Sequence, residues 1–221
     1  MGSPTEEACR EKDEGPRHEV TLRPFLLART EVSQRAWQAL AERAGVPPQP
    51  SSFRHLGELA PVETVSWSQA RSWCEAAGLR LPTEAEWEYA CRGGTTTPFA
   101  FGEEVTTEQV NFSGLYPYRG GPAQEYRQQP VPVGSLAPSS FGLYEVHGNL
   151  REWCEDSYIE GHEGAPTDGS SRVDPGSLYR VIRGGSWSTD ARFCRSADRF
   201  WCNPEQGFDF LGLRPASALT R

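Results

Sequence analysis

Hydrophobic and polar positions follow a helical period in three short segments of the first half of the chain. After Ser33, the apolar residues within 36–41 fall on one helical face, and Gly45 precedes a Pro-Pro pair that would stop a helix. The other two segments each open with a capping box, a Ser or Thr followed three residues later by a Gln or Glu: Ser66 with Gln69, and Thr83 with Glu86. The pattern therefore predicts three short helices.

Strand patterns are short and lie mainly towards the two ends of the chain. The segment HEVTLRPFLLARTEV (18–32) alternates on both sides of a proline, which predicts two short strands. The segments LYRVIRGGSW (178–187) and LGLRPAS (211–217) also predict strands. From about 94 to 148 neither period is present, and Gly, Pro, Thr and Gln surround scattered aromatic residues. The sequence predicts an α+β fold that is rich in ordered loops.

Composition and charge narrow the possible functions. The chain has 221 residues and seven Trp, which suffices for one core, so we expect a single domain over 1–221. Its net charge of -8 would repel phosphate backbones, so we expect no nucleic-acid partner. There is no apolar run of about 18 residues and no charged-then-apolar leader, so we expect no membrane span and no signal peptide. A cytoplasmic location is then the default expectation.

Three longer segments carry a resemblance to a known family. They are PVETVSWSQARSWCEAAGLRLPTEAEWEYACRGG (61–94), FGLYEVHGNLREWCEDSY (141–158) and RVIRGGSW (180–187). Together they resemble the formylglycine-generating-enzyme-like, or sulfatase-modifying factor, family, whose domain is a variant of the C-type lectin fold. The likeness extends from MGSP at the start to LGLRPA near the end. In the family a strand precedes the MGS-like segment, so we expect that strand to be missing or supplied differently here.

The GNLREW motif (148–153) predicts a calcium site. Gly148 permits a tight turn that leaves carbonyl groups free, and Glu152 places a carboxylate beside them, the oxygen-rich setting that Ca²⁺ prefers. The alternative is that Glu152 pairs with a nearby Arg. In the family one Ca²⁺ is held by backbone oxygens around this motif, and the resemblance implies the matching positions Glu145, Gly148, Leu150 and Glu152. It also implies a second, weaker site at Asn111, Phe112, Glu125 and Arg127, where a Glu replaces the usual Asp.

The resemblance also permits a test for copper chemistry. Oxidase members of the family bind Cu(I) through two cysteines near the C-terminus, and the matching positions here are Thr189 and Cys194. A hydroxyl cannot replace a thiolate as a ligand of Cu(I), so we expect no copper and no oxidase activity. Cys194 is then either a core residue or the reactive thiol of a family enzyme or regulatory domain.

The segment ARFCRSADRFWCNPEQGFDFLGLRPAS (191–217) resembles the variable region of diversity-generating retroelement proteins. In those proteins, Asn codons of a template are mutated during reverse transcription. Most of the matching residues have codons reachable from an Asn codon by changing its first two bases, although Trp201 needs a different template codon. The resemblance implies a variable region of about 183–217 with these variable positions: Ser188, Thr189, Asp190, Phe193, Asp198, Phe200, Trp201, Cys202, Gly207, Phe208, Asp209 and Phe210.

Four of these positions are large aromatics in a polar stretch that contains Gly and Pro. Large apolar groups displayed on a surface are typical of binding patches, whereas inward packing of the same rings is the alternative. We therefore predict a non-enzymatic display protein that binds a protein or another macromolecule. A formylglycine-generating-enzyme-like enzyme or regulatory domain is the second hypothesis. We expect the variable positions to share one exposed face, and Trp187, Cys194 and Leu211 to be buried.

Overall fold

Three α-helices begin at the positions that the capping residues predict. The computed structural model describes residues 1–219, and its helices are α1 (Gln34–Ala44), α2 (Trp67–Ala76) and α3 (Glu84–Arg92). The side chains of Ser33, Ser66 and Thr83 each accept a hydrogen bond from the backbone N–H three residues further on. These bonds satisfy N–H groups that have no partner inside the helix.

Six short strands form two sheets. The strands are β1 (Phe25–Leu27), β2 (Arg151–Ser157), β3 (Arg180–Arg183), β4 (Phe200–Cys202), β5 (Leu211–Gly212) and β6 (Ala216–Ala218). β1 pairs antiparallel with β6. The larger sheet has the order β4-β3-β2-β5, in which β5 runs parallel to β2 and the other pairs are antiparallel. β4 therefore lies at an edge, where its side chains can reach the surface.

The strands differ from the sequence prediction in three places. The segment 18–32 contains one strand, β1, because residues before it are held singly by loops, such as Thr21, whose N–H donates to the carbonyl of Thr167. β2 was not predicted because nearly all of its residues are buried, so no alternation shows in the sequence. β4 was not predicted because it has only three residues.

The core is built around stacked and fully buried tryptophans. α1 packs on α2 through Trp37 and Trp73, whose parallel rings lie 5.9 Å apart, and this pair joins Trp153 of β2 in the largest cluster. Between 94 and 148 the only helical segment among the described residues is a 3₁₀ turn at Tyr118–Gly120. Phe99 and Phe112 of this long loop fill a separate cluster, so the predicted loop-rich α+β fold is confirmed.

No helix within residues 1–219 is both long enough and apolar enough to span a bilayer.

Candidate functional site

Buried arginines hold the C-terminal segment 191–199 in place. The Arg195 guanidinium lies 2.6 Å from a carboxylate oxygen of Glu14 and 2.8 Å from one of Glu7. The Arg199 guanidinium pairs with Glu84 at the start of α3, at 2.6 Å. Because the side chains of these ion pairs are at most 5% exposed, each charge depends on its partner. The pairs connect the segment to the N-terminal residues and to α3.

Two further buried arginines connect the central sheet to its surroundings. Arg183 of β3 pairs with Glu88 of α3 at 2.6 Å, and Arg214 pairs with Glu152 of β2 at 2.8 Å. Although burial alone raises the pKa of Glu88, Arg183 lowers that pKa to about 2. We call Arg183, Arg195, Arg199 and Arg214, together with their carboxylate partners, the arginine network.

The same C-terminal segment presents aromatic rings on its outer side. Phe200 is 43% exposed, Trp201 is 40% exposed and Phe208 is 38% exposed, which excludes full inward packing of these rings. Phe200 and Trp201 stack at 5.8 Å between ring centroids, and Phe208 and Phe210 stack at 5.2 Å. A cavity of about 440 Å³ lies among these four rings. We call these four residues, with Phe193, the aromatic surface.

Most of the predicted variable positions reach solvent beside these rings. The backbone carbonyl of Asp209 accepts a hydrogen bond from the Trp187 indole at 3.2 Å, which connects the loop 208–210 to the turn 188–190. Besides the three exposed aromatics, the following predicted positions are half-buried: Ser188, Thr189, Asp190, Phe193, Asp209 and Phe210.

Two predicted display positions, Asp198 and Cys202, do not face solvent, and a third, Gly207, is half-buried but has no room for a side chain. Asp198 is 1% exposed, lies 3.4 Å from the guanidinium of Arg151, and has its pKa raised by burial to about 7. Cys202 is 6% exposed and belongs to the largest core cluster. Gly207 lies against the backbone of Thr64, where an added Cβ would be 2.5 Å from the carbonyl carbon, so a larger residue would require the backbone to move.

Of the three residues expected to be buried, two are buried and one is half-buried. Cys194 and Leu211 are both 0% exposed, as expected, but Trp187 is half-buried. Its ring is 5.5 Å from Phe53, in an edge-on contact. Sequence reasoning also missed Tyr179, whose ring centroid is only 4.2 Å from that of Trp201. The sequence shows Tyr179 directly before β3, but its contact with Trp201 depends on the pairing of β3 with β4, which only the structure reveals.

The two positions that match the family's copper ligands lie side by side. The Thr189 hydroxyl donates to the backbone carbonyl of Ser186 at 3.1 Å, and burial raises the pKa of the Cys194 thiol to about 12. Such a thiol is protonated at neutral pH, so it is a poor nucleophile and a poor metal ligand. Within residues 1–219, no three His, Cys, Asp or Glu side chains are grouped so as to hold a metal ion.

The carboxylates of the first predicted calcium set are already bonded to protein groups. The Glu152 carboxylate accepts bonds from Arg214 and, at 2.7 Å, from the Trp87 indole, so the alternative of an Arg partner is the arrangement observed. The Glu145 carboxylate accepts backbone N–H bonds from Gly134 and Leu136. The side chains of Glu145 and Glu152 are thus engaged by protein groups, and calcium held at this set by backbone oxygens of the motif stays a prediction.

The second predicted calcium set retains one oxygen without a partner. The amide nitrogen of Asn111 donates to Gln129 and to Asn149, both at 3.0 Å, which fixes the orientation of the amide. The other amide atom, Oδ1, is buried and accepts no hydrogen bond. Phe112 is buried, and Glu125 is exposed and paired with Arg127 at 2.9 Å. An orphan oxygen fits a hard cation, so calcium at this set stays a prediction.

Comparison with known proteins identifies the family of this fold. The model of the sulfatase-modifying factor enzyme 1-like domain matches residues 1–219. The chain belongs to this family. The formylglycine-generating enzyme of Bos taurus is 34% identical over 165 residues, which cover 71% of the chain and 44% of the enzyme. The chain thus spans less than half the length of this relative.

Solved structures agree with the family assignment. PvdO from Pseudomonas aeruginosa superposes with a TM-score of 0.87 at 30% identity, covering 99% of this chain and 90% of PvdO. Treponema denticola variable protein 1 superposes with a TM-score of 0.78 at 24% identity, covering 98% of this chain and 91% of that protein. At such low identity the second likeness concerns the fold. The fold is the formylglycine-generating-enzyme type of the C-type lectin fold, as predicted.

Proposed function

We propose that this protein is a non-enzymatic display protein that binds a macromolecular ligand through the aromatic surface. We further propose that the positions around this surface are varied by a diversity-generating retroelement. The main support for the proposal is that the segment 195–208 has a buried side and an exposed side. Arg195 and Arg199 point inward to buried carboxylates, whereas Phe200, Trp201 and Phe208 point outward.

Exposed aromatic rings have an energetic cost that a partner can remove. Fully burying a side chain of this size contributes about 1.5–3 kcal/mol, so three rings that are each about two-fifths exposed forgo about 2–4 kcal/mol of favourable burial. Clustered aromatics around a concave centre are typical of the residues that dominate binding energy in protein interfaces. The cavity of about 440 Å³ beside Trp201 supplies that concave centre.

The fold and the thiol chemistry also support a binding function. A protein named as a variable protein shares the fold over nearly the whole chain, which is support by analogy. The alternative, a family enzyme, requires chemistry at Thr189 and Cys194, where a hydroxyl and a buried, protonated thiol are found. Formation of formylglycine in a cysteine peptide by the purified, Cu(I)-loaded protein would restore the enzyme hypothesis.

The genetic part of the proposal is tested by sequencing. The coding region should be sequenced from many cells of the source population, together with its neighbouring DNA. We expect a reverse transcriptase gene, a near-copy of the 3′ coding end, and substitutions concentrated at codons 188–190, 193, 200, 201 and 208–210. Variation spread evenly over the codons of exposed residues would contradict the proposal.

The binding part is tested by two matched libraries. One library randomises 188–190, 193, 200, 201 and 208–210, and the control randomises exposed positions of α1 (35, 38, 39, 42 and 43). Both are displayed on yeast and selected against lysozyme as a stated target. We expect saturable binders from the first library and few from the second. Equal yields from both libraries would show that the aromatic surface has no special capacity for binding.

A further inference from the structure

The cavity among the exposed rings has an uncharged lining. Within residues 1–219, no charged side chain lines this space of about 440 Å³. Part of its wall consists of two stacked pairs of rings, Phe200 with Trp201 and Phe208 with Phe210. We call it the aromatic cavity. A charged group that entered it would lose hydration without meeting an opposite charge, so an uncharged occupant is favoured.

Trp201 differs from the other tryptophans in its hydrogen bonding. Six of the seven tryptophans donate their indole N–H to an oxygen atom of the protein, at 2.7–3.2 Å. The indole N–H of Trp201 bonds no group in the described part of the chain, and the side chain lines the aromatic cavity while exposed. Because an indole N–H can only donate, the ligand group that matches it is an acceptor.

Asn203 and Tyr179 add further donors to the lining of the aromatic cavity. The Asn203 Oδ1 accepts the backbone N–H of Glu205 at 2.9 Å, so the amide nitrogen of Asn203 remains as a donor. The exposed hydroxyl of Tyr179 bonds no other residue within 1–219. The aromatic cavity therefore combines ring faces with the donors of Trp201, Asn203 and Tyr179, and a matching ligand is apolar and rich in acceptors.

A proline-rich segment has the complementary chemistry. Proline combines an apolar ring with a backbone carbonyl and has no backbone N–H, so such a segment supplies acceptors without competing donors. In the polyproline II helix these carbonyls make no internal hydrogen bonds, and the conformation is already formed before binding. A neutral oligosaccharide instead brings a donor with each hydroxyl, and no carboxylate of residues 1–219 lines the aromatic cavity to accept it. Grooves lined by aromatic rings are typical receptors of proline-rich segments.

We infer that the aromatic cavity binds a proline-rich segment of a protein partner in the polyproline II conformation, with Trp201 and Asn203 donating hydrogen bonds to its carbonyls. The inference rests on the proposed function, since the rings of the cavity belong to the aromatic surface. Tyr179 and Asn203 lie outside the proposed variable positions, so these donors would remain when the surface varies. Trp201 is itself a proposed variable position, and its indole makes the preference specific to this sequence.

The test measures binding of acetyl-decaproline amide to the full chain by isothermal titration calorimetry. Acetyl-(Gly-Ser)5 amide is the uncharged control of equal length, and maltohexaose represents neutral carbohydrate. We expect saturable binding of decaproline and at least about tenfold weaker binding of the other two, because they lack proline rings and bring their own donors. No binding of decaproline, or equal or tighter binding of the control peptide or the sugar, would overturn the inference.

Two variants locate the binding site. Trp201→Phe keeps an aromatic ring and removes the indole donor, and Asn203→Asp keeps the oxygen that accepts from Glu205 and removes the amide donor. Each should weaken decaproline binding by about fivefold, the effect of one lost hydrogen bond. Tyr89→Phe, at an exposed tyrosine of α3 outside the cavity, is the control and should leave binding unchanged.

Unchanged decaproline binding in both donor variants would contradict the inference. The library selection tests the display function separately. Binders from the first library together with no binding of decaproline would therefore remove only the preference for proline, whereas equal yields from the two libraries would remove the display function itself.

Discussion

The two sides of the C-terminal segment reverse the usual distribution of charge and apolar surface. Arg195 and Arg199 are buried against carboxylates, whereas Phe200 and Trp201, the next residues along the chain, are exposed. In most soluble proteins arginines lie outside and large aromatics inside. Ion pairs therefore share with buried small residues such as Cys194 the task of fixing this segment, and its large aromatic side chains remain available for a ligand.

The difference also separates positions that tolerate change from positions that do not. A buried ion pair leaves an uncompensated charge when one partner is removed, whereas an exposed ring leaves only a smaller surface. A binding surface whose residues vary must be separate from the core, because core substitutions can cost as much as the whole free energy of unfolding.

Arg195→Met should have the largest effect. It leaves Glu14 and Glu7 buried without their cation, so we expect the free energy of unfolding to fall by about 3–5 kcal/mol. Urea denaturation at neutral pH measures this loss. Arg192→Met is the matched control. Arg192 lies in the 3₁₀ turn Ala191–Cys194, directly before Arg195, and pairs with Asp190 while 47% exposed, so its loss should lower stability by at most about 1 kcal/mol. Equal losses in the two variants would remove the distinction between buried and exposed arginines.

Phe200→Ser, Trp201→Ser and Phe208→Ser, each made alone, should have smaller effects on folding. Because each ring is about three-fifths buried, we expect each change to lower the free energy of unfolding by about 1–2 kcal/mol. Leu211→Ser, at a fully buried neighbour, should lower it by about 3 kcal/mol or more, and urea denaturation measures all four losses. If each ring variant loses as much stability as Leu211→Ser, the aromatic surface is part of the core.

Thiol labelling distinguishes a reactive Cys194 from a structural one. Burial raises the pKa of the Cys194 thiol to about 12, so iodoacetamide should leave it unmodified in the native protein while labelling the exposed Cys9. Mass spectrometry of tryptic peptides identifies the modified sites. Labelling in denaturant, where all six cysteines should react, confirms that the reagent is competent. Modification of native Cys194 at a rate close to that of Cys9 would support the enzyme or regulatory hypothesis.

Calcium should have the smallest effect, and it should act through Asn111 rather than through the arginine network. We expect millimolar Ca²⁺ to raise the melting temperature by about 1–3 °C relative to chelator, because an ion bound only by the folded state stabilises it. Asn111→Ala should remove this shift, and Glu125→Gln, in which a neutral amide replaces an exposed carboxylate, should reduce it. An identical melting temperature in calcium and in chelator would contradict the expectation.

The sequence by itself determined where the helices start and which family the chain resembles. The helix starts follow from contacts between residues three apart, such as Thr83 with Glu86, and both partners of such a contact are adjacent in the sequence pattern. The motifs from 61 to 94 and from 141 to 158 are long and specific, so the family can be recognised from the sequence without a structure. The exposed aromatics of 200–210 could also be anticipated, because their neighbours in the sequence are polar.

Only the tertiary structure decided which side chains of 191–210 are buried. Arg195 finds its partner Glu14 at a separation of 181 residues, and Arg214 finds Glu152 across 62 residues, distances over which a single sequence carries no pairing signal. The ion pair between Glu152 and Arg214 could therefore not be predicted from the sequence. The sequence likewise could not show that Gly207 lies against the backbone of Thr64 or that Asp198 is buried beside Arg151, because folding brings these distant segments together.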